Sequence, residues 1–230
     1  MSDESQVMTA ERPSDSRPSE FAPVMRSPLT EHHRSLNARL ATEDGWEMPR
    51  SYGDVQREVR AIREGLGIAD ITARGKIDLR GAVDSSLVNL LQTRNAQLAR
   101  LSRDWALVFT PAASLKSALH LMEQSADRST MVTDATSIYA GLALVGPRVP
   151  DLLLRLTAID PDQLQPGHSV ATQMLRIPAF LLRRDLPVMV VEAYVASEFA
   201  RYAWEAVFMV GHQLDPIPVG WEALQAEGWR

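Results

Sequence analysis

Hydrophobic positions follow two different periods along this chain. From Asp54 to Leu66, the residues Val55, Val59, Ile62 and Leu66 recur at i, i+4, i+7 and i+11, which places them on one face of a helix. Asp54 is available as its N-cap. Arg60 and Arg63 bring cations to its last turn, and Gly65 is placed for a left-handed stop. The period then drops to two. Lys76-Ile77-Asp78-Leu79-Arg80 alternates polar and apolar residues, as a strand with one buried face does, before Gly81 ends it.

The same reasoning predicts the other elements in order. A helix carrying Leu36 and Leu40 follows Pro28-Leu29, and a second helix over 82–91 aligns Val83, Leu87, Leu90 and Leu91. A strand over 104–109 is broken by Pro111. Ser114 then caps a helix with a Leu115, Leu119, Met122 stripe. Strands over 130–134 and 142–145 precede a short apolar helix over 149–156. Three consecutive strands, 170–176, 180–184 and 188–194, lead to a helix capped by Ser197 with Phe199, Ala203, Val207 and Val210 facing inward. This order predicts an α+β fold, two half-sheets with helices packed on them. No fixed-period repeat or polar linker divides residues 27–230, so they read as one domain. Residues 1–26, rich in Ser, Pro and charge, read as a disordered tail.

Composition narrows the classes. At 230 residues, 45% hydrophobic and 23% charged, the chain has the make-up of a soluble globular protein with one sizeable core. A net charge of −5 gives no reason to expect nucleic acid or an anionic membrane as partner. Without cysteine there are no disulfides, thiolate metal sites or thiol nucleophiles, which fits a cytoplasmic protein. No apolar run approaches the roughly 20 residues of a membrane span, and the first residues lack a secretory signal pattern. His32 and His33 are adjacent and diverge on a helix, while His120, His168 and His212 are isolated, so no metal site is expected. Gly65, Gly67, Gly75 and Gly81 punctuate turns and lack the context of a phosphate-binding loop.

An ordered set of short motifs carries a family resemblance. Ser27-Pro28-Leu29, His32 or His33, Leu36, Ala38, Gly45-Trp46-Glu47-Met48-Pro49, Tyr52, Glu58, Arg63, Gly67, Asp70 and Gly75-Lys76-Ile77 occur in sequence. Three further segments follow: 132–147, Val191-Glu192-Ala193-Tyr194-Val195 with Trp204 beyond it, and Pro218-Val219-Gly220-Trp221-Glu222-Ala223-Leu224. Together they resemble the folate-binding portion of the glycine-cleavage T-protein (aminomethyltransferase) superfamily over about residues 27–228. That resemblance implies a T-protein-like fold of two ferredoxin-like half-sheets and tetrahydrofolate as cofactor. It puts forward Glu192, Tyr52, Asp70 and Arg184 as folate-binding residues. Glu192 falls on the glutamate that the family uses to accept the donor edge of the pterin, although a strand glutamate between Val191 and Ala193 also has a solvent-facing reading. Arg148, Arg183 and Arg184 are candidates for a folate glutamate tail or for a partner's acidic surface.

Two departures from the family pattern shape the functional expectation. Its Thr-Gly-Glu-x-Gly lead-in is replaced by Leu186-Pro187-Val188-Met189-Val190. Its Gly-Gly and Asp-Asp strand, which supplies the carboxylate nearest the reacting folate nitrogen, has no counterpart in residues 92–103. That shortening resembles the gamma subunit of heterotetrameric sarcosine oxidase, a relative read as lacking this strand. The first expectation is therefore a folate-binding-fold subunit of a multi-subunit enzyme of one-carbon or methylamine metabolism, not catalytic alone. Larger subunits would carry the missing C-terminal domains or a flavin, docking on an apolar surface at Trp221, Leu224 and Trp229. The alternatives are a stand-alone aminomethyltransferase using Asp70 or Glu47 as its acid, and a non-catalytic folate-binding module.

Overall fold

The computed structural model describes residues 25–81, 96–127 and 129–229. The helix expected over 82–91 and nearly all of the expected tail lie outside them. Met25 and Arg26, the last two residues of that expected tail, form a short strand, β1.

Alternating strands stack this chain in layers. The central sheet has six strands, ordered β10 (Ser169–Met174), β11 (Ile177–Arg183), β12 (Val190–Ala196), β9 (Tyr139–Val145), β4 (Gly67–Asp70) and β13 (Ile217–Pro218). Neighbours run antiparallel except β13 and β4. A second sheet, antiparallel throughout, is ordered β6 (Gln97–Ser102), β7 (Trp105–Thr110), β5 (Gly75–Arg80) and β8 (Met131–Asp134). A small third sheet joins β1 to β3 (Trp46–Ser51) and β2 (Arg39–Glu43).

The period of two decides which layer each side chain enters. On β12, Val191, Ala193 and Val195 pack with helices α4 (Val149–Leu156) and α5 (Ala200–Val210). Val190 and Tyr194 point the other way, toward Leu107 and Phe109 of β7. The opposite face of β7, Ala106 and Val108, joins Ile77 and Leu79 under helix α3 (Leu115–Ser125). The order through the molecule is thus helices, sheet, sheet, helix. The Phe109 and Tyr194 rings, 4.3 Å apart, meet between the sheets. Helices α2 (Val55–Glu64) and α6 (Trp221–Ala226) bring Val59, Ile62, Ala223 and Leu224 into that same layer.

The predicted elements α2, α3, α4 and α5 and all the predicted strands are present, with ends shifted by a few residues. Asp54 caps α2 as expected, accepting from the Arg57 N–H at 3.0 Å. Gly65 ends that helix without a left-handed turn, at φ −136°. Helix α1 (Thr30–Ser35) stops before Leu36, and Leu40 lies on β2. The hairpin β2–β3 turns on Asp44 and Gly45, both at positive φ (50° and 81°), the backbone that an Asp-Gly pair favours. Two expectations are corrected. Residues 97–102 do form a strand, held to β7 by backbone pairing despite the missing Gly-Gly and Asp-Asp. The expected apolar surface at the C-terminal end is covered: Leu224 and Trp229 are buried and Trp221 half-buried, because α6 packs on α2 and β3.

Candidate functional site

Asp70 ends β4 where the chain turns toward β5, and its carboxylate is fully enclosed. Its Oδ1 accepts the Thr72 N–H at 2.8 Å. Its Oδ2 accepts the Ser27 hydroxyl and pairs with His33 Nε2 at 2.9 Å. The other His33 nitrogen meets the Tyr52 hydroxyl at 2.8 Å, and the imidazole stands edge-on to Trp204 at 5.0 Å. Burial works to raise the Asp70 pKa. Hydrogen bonding and charge from His33, helped by Ser27 and Thr72, outweigh it and hold the carboxyl below its ordinary range. Burial, with the nearby Asp70 and Glu58 charges, pushes the Tyr52 phenol up. Glu58 of α2 ties this corner to α6, accepting from the Tyr52 N–H at 2.6 Å and the Gly220 N–H at 2.8 Å.

The second cluster lies between the stacked sheets. Glu192 shares the β12 face of Val190 and Tyr194, so it enters the inter-sheet layer and is fully buried, which removes the solvent-facing reading. Its Oε2 accepts the Tyr194 hydroxyl at 2.7 Å. Its Oε1 lies 3.4 Å from Arg74 Nε and 3.5 Å from Arg184 Nε. Arg184 also donates to Gln97 of β6 at 3.1 Å, so the strand that the sequence reading omitted helps hold it. Lys76 enters the same layer from β5. Its ammonium donates to the carbonyls of Thr72 at 2.6 Å and Thr136 at 3.2 Å, and lies 5.7 Å from the Tyr194 ring. Burial pushes its pKa down to about 7, with Asp70, Glu192 and Asp134 opposing the fall and Arg74 adding to it.

Between these clusters opens a cleft of about 480 Å³, walled by Met48, Pro49, Ile71, Arg74, Trp221 and Trp229. The Arg74 side chain is 3% exposed, and its guanidinium carbon stands 5.8 Å from the centre of the Trp229 ring. Glu43 and Asp44, both exposed, mark the mouth. Asp70 and Ile71 contribute to the wall through the β4–β5 turn, whereas Glu192 lies behind Arg74 and is not part of it.

Of the residues singled out from sequence, Tyr52 and Asp70 are joined through His33, and Glu192 and Arg184 meet directly. Glu47 bridges Arg26 at 3.0 Å and Arg34 at 2.8 Å, and exposed Arg148 faces Asp151 at 3.3 Å. Sequence reasoning missed His33, Arg74 and Lys76 as site residues. His33 and Lys76 lay within the quoted motif, and Arg74 fell between its fixed positions. Among the described residues no group of three His, Cys, Asp or Glu side chains is placed to hold a metal, and no helix is long and apolar enough to cross a membrane.

The model of the GCVT N-terminal domain family matches residues 29–102 and 95–227. The chain belongs to this family. GCVT-family relatives include an aminomethyltransferase of Halothermothrix orenii, 25% identical over 223 residues, covering 86% of this chain and 62% of the relative. An aminomethyltransferase of Symbiobacterium thermophilum is 27% identical over 240 residues, covering 86% and 61% respectively. The chain thus spans about three fifths of the length of these curated relatives. In fold it matches the glycine cleavage system aminomethyltransferase T of Bartonella henselae with a TM-score of 0.74 at 19% identity, over 89% of this chain and 62% of that one. A chain of the heterotetrameric sarcosine oxidase of Corynebacterium sp. U-96 matches with a TM-score of 0.58 at 15% identity, over 84% of this chain and 98% of that one. The GCVT-type fold places Glu192 between its stacked sheets and opens the cleft beside them.

Proposed function

We propose that this chain is an aminomethyltransferase-like domain that works in the cytoplasm as a subunit of a larger enzyme of one-carbon or methylamine metabolism, and that it transfers no one-carbon unit alone. The observation that carries the proposal is the engagement of Glu192. A pterin offers donors along one edge, and a receptor carboxylate must present two free acceptor oxygens to it. Here one oxygen takes the Tyr194 hydroxyl, and the other lies between two guanidinium groups behind the cleft wall. These residues do not fit the pterin edge, so tetrahydrofolate, the cofactor that the resemblance implies, gains little from them. The reading of a stand-alone transferase fares no better. Asp70 is held by three donors and Glu47 by two arginines, so neither is free to handle a proton at a reacting nitrogen. The fold-level likeness to a chain of a heterotetrameric oxidase favours a larger, flavin- or transferase-bearing partner.

Two measurements test this reading. The purified chain, given an aminomethyl donor and tetrahydrofolate, should form no methylene-tetrahydrofolate. Turnover by the chain alone that disappears with Asp70→Asn or Glu47→Gln would overturn the proposal in favour of the stand-alone enzyme. Affinity purification from the native host should recover a larger enzyme chain in stoichiometric amount. Recovery of a bare monomer under gentle conditions speaks against a subunit role.

A further inference from the structure

We propose that the groove between the β2–β3 hairpin and α6 docks an extended peptide segment of a partner protein, one that carries an apolar side chain and, next to it on the same face, a lysine or arginine. This goes beyond the subunit role and does not rest on it. The cleft of about 480 Å³ is continued by a second cavity of about 310 Å³, and the two share Glu43, Trp221 and Gln225. Where they meet, Gln225 reaches Glu43 across a contact of 3.5 Å, at the outer limit of a hydrogen bond. The joined cavities make a groove that suits neighbouring side chains on one face of an extended chain, which stand about 7 Å apart. The strand beside the groove suits the same occupant. β2 is an outer strand of its sheet, so it has backbone donors and acceptors that no other strand pairs among the described residues. Ala41, Thr42 and Glu43 are consecutive on β2 and all border the second cavity, so that cavity follows the strand's edge as well as its face. An extended peptide adds to such an edge and sends alternate side chains into the groove.

Charge selects the side chains of that peptide. Met48, Pro49 and Ile71 give one half of the groove an apolar wall, where a buried hydrocarbon side chain is favoured. Arg74 in that wall is ion-paired with Glu192, and the enclosed Asp70 carboxylate is matched by His33, so neither presents a net charge to the occupant. The rim is acidic. Glu43 and Asp44 are exposed and form no ion pair among the described residues. Glu222 borders the second cavity, where Arg50 pairs with it at 3.2 Å. Three carboxylates against that one guanidinium draw in a cationic side chain and repel an anionic one.

Selection of random linear peptides displayed on phage, with the full chain as bait, tests this. Enriched sequences should place an aromatic or aliphatic residue two positions from a lysine or arginine. A synthetic peptide of the enriched sequence, followed by fluorescence polarisation, should bind more weakly as salt rises. Ala113→Trp fills the apolar cleft from an exposed position and should weaken that peptide about tenfold or more. Glu43→Gln combined with Asp44→Asn, the latter at a left-handed position that asparagine tolerates, should weaken it about threefold and remove most of the salt dependence. All three positions are exposed, and circular dichroism checks that the variants fold. No enrichment, enrichment of acidic peptides, or affinities unchanged in both variants would overturn the proposal. Self-association of the chain that Ala113→Trp abolishes would overturn it in favour of a second copy as the occupant.

Discussion

Lys76 occupies a polar position of an alternating strand, yet it is fully buried with two backbone carbonyls as its acceptors. Its pKa of about 7 in the folded chain, against 10.5 for an ordinary lysine, has a definite consequence for stability. Between those values the unfolded chain holds a proton that the folded chain does not, so stability rises with pH across that window. The slope approaches about 1.4 kcal/mol per pH unit. Lys76→Met should flatten it, measured by urea unfolding from pH 7 to 10. Asp70 has the opposite linkage. Its lowered pKa contributes stability above the ordinary carboxyl range, and this is lost as pH falls through the folded value. Asp70→Asn breaks a buried pair with His33 and should cost about 3–5 kcal/mol, read from the denaturant midpoint. His33 was legible as part of a motif. The pairing was not, because Ser27, His33, Tyr52 and Asp70 are brought together only by the fold.

At the scale of elements, α6 is seated by one glycine. A Cβ on Gly220 would come within 2.3 Å of the Arg50 carbonyl oxygen, and the Gly220 N–H donates to Glu58. Gly220→Ala should therefore push α6 off β3 and cost about 1–3 kcal/mol or more. Thermal unfolding measures the loss. Helices α2 and α4 were readable because their apolar stripes have the helical period and their faces are covered in the simplest way. The hairpin β2–β3 went unread because Arg39–Glu43 and Trp46–Ser51 lack clean alternation, although Asp44-Gly45 between them is a strong turn signal. Strand β6 was missed for a related reason. Its identity rests on pairing with β7 and on Gln97 reaching Arg184, neither of which is a property of residues 97–102 alone.

Across the whole molecule, the two large sheets share one buried layer rather than two separate cores. Phe109 and Tyr194 span it, so cutting Phe109 to Ala should cost about 3–5 kcal/mol, as removal of a buried aromatic side chain does. Because each sheet covers the other, the described layers should unfold together. Calorimetry and near-UV and far-UV circular dichroism are expected to report one coincident transition. Two separated transitions would mean that the sheets are autonomous. The shared layer also explains the fate of Glu192, since the face of β12 that points away from the helices meets a second sheet instead of water.

Period by itself determined the α+β class and the principal helices and strands, and motif order carried the resemblance to the family that the GCVT domain match shows, because these depend on the local sequence. They also placed Glu192 on a strand and singled out Asp70 as a site residue. Only the tertiary structure decided what those carboxylates do. A strand's alternation states which side chains share a face but not what covers that face. Here stacking of the sheets turned a polar face inward and set Arg74, Arg184 and Tyr194 around Glu192.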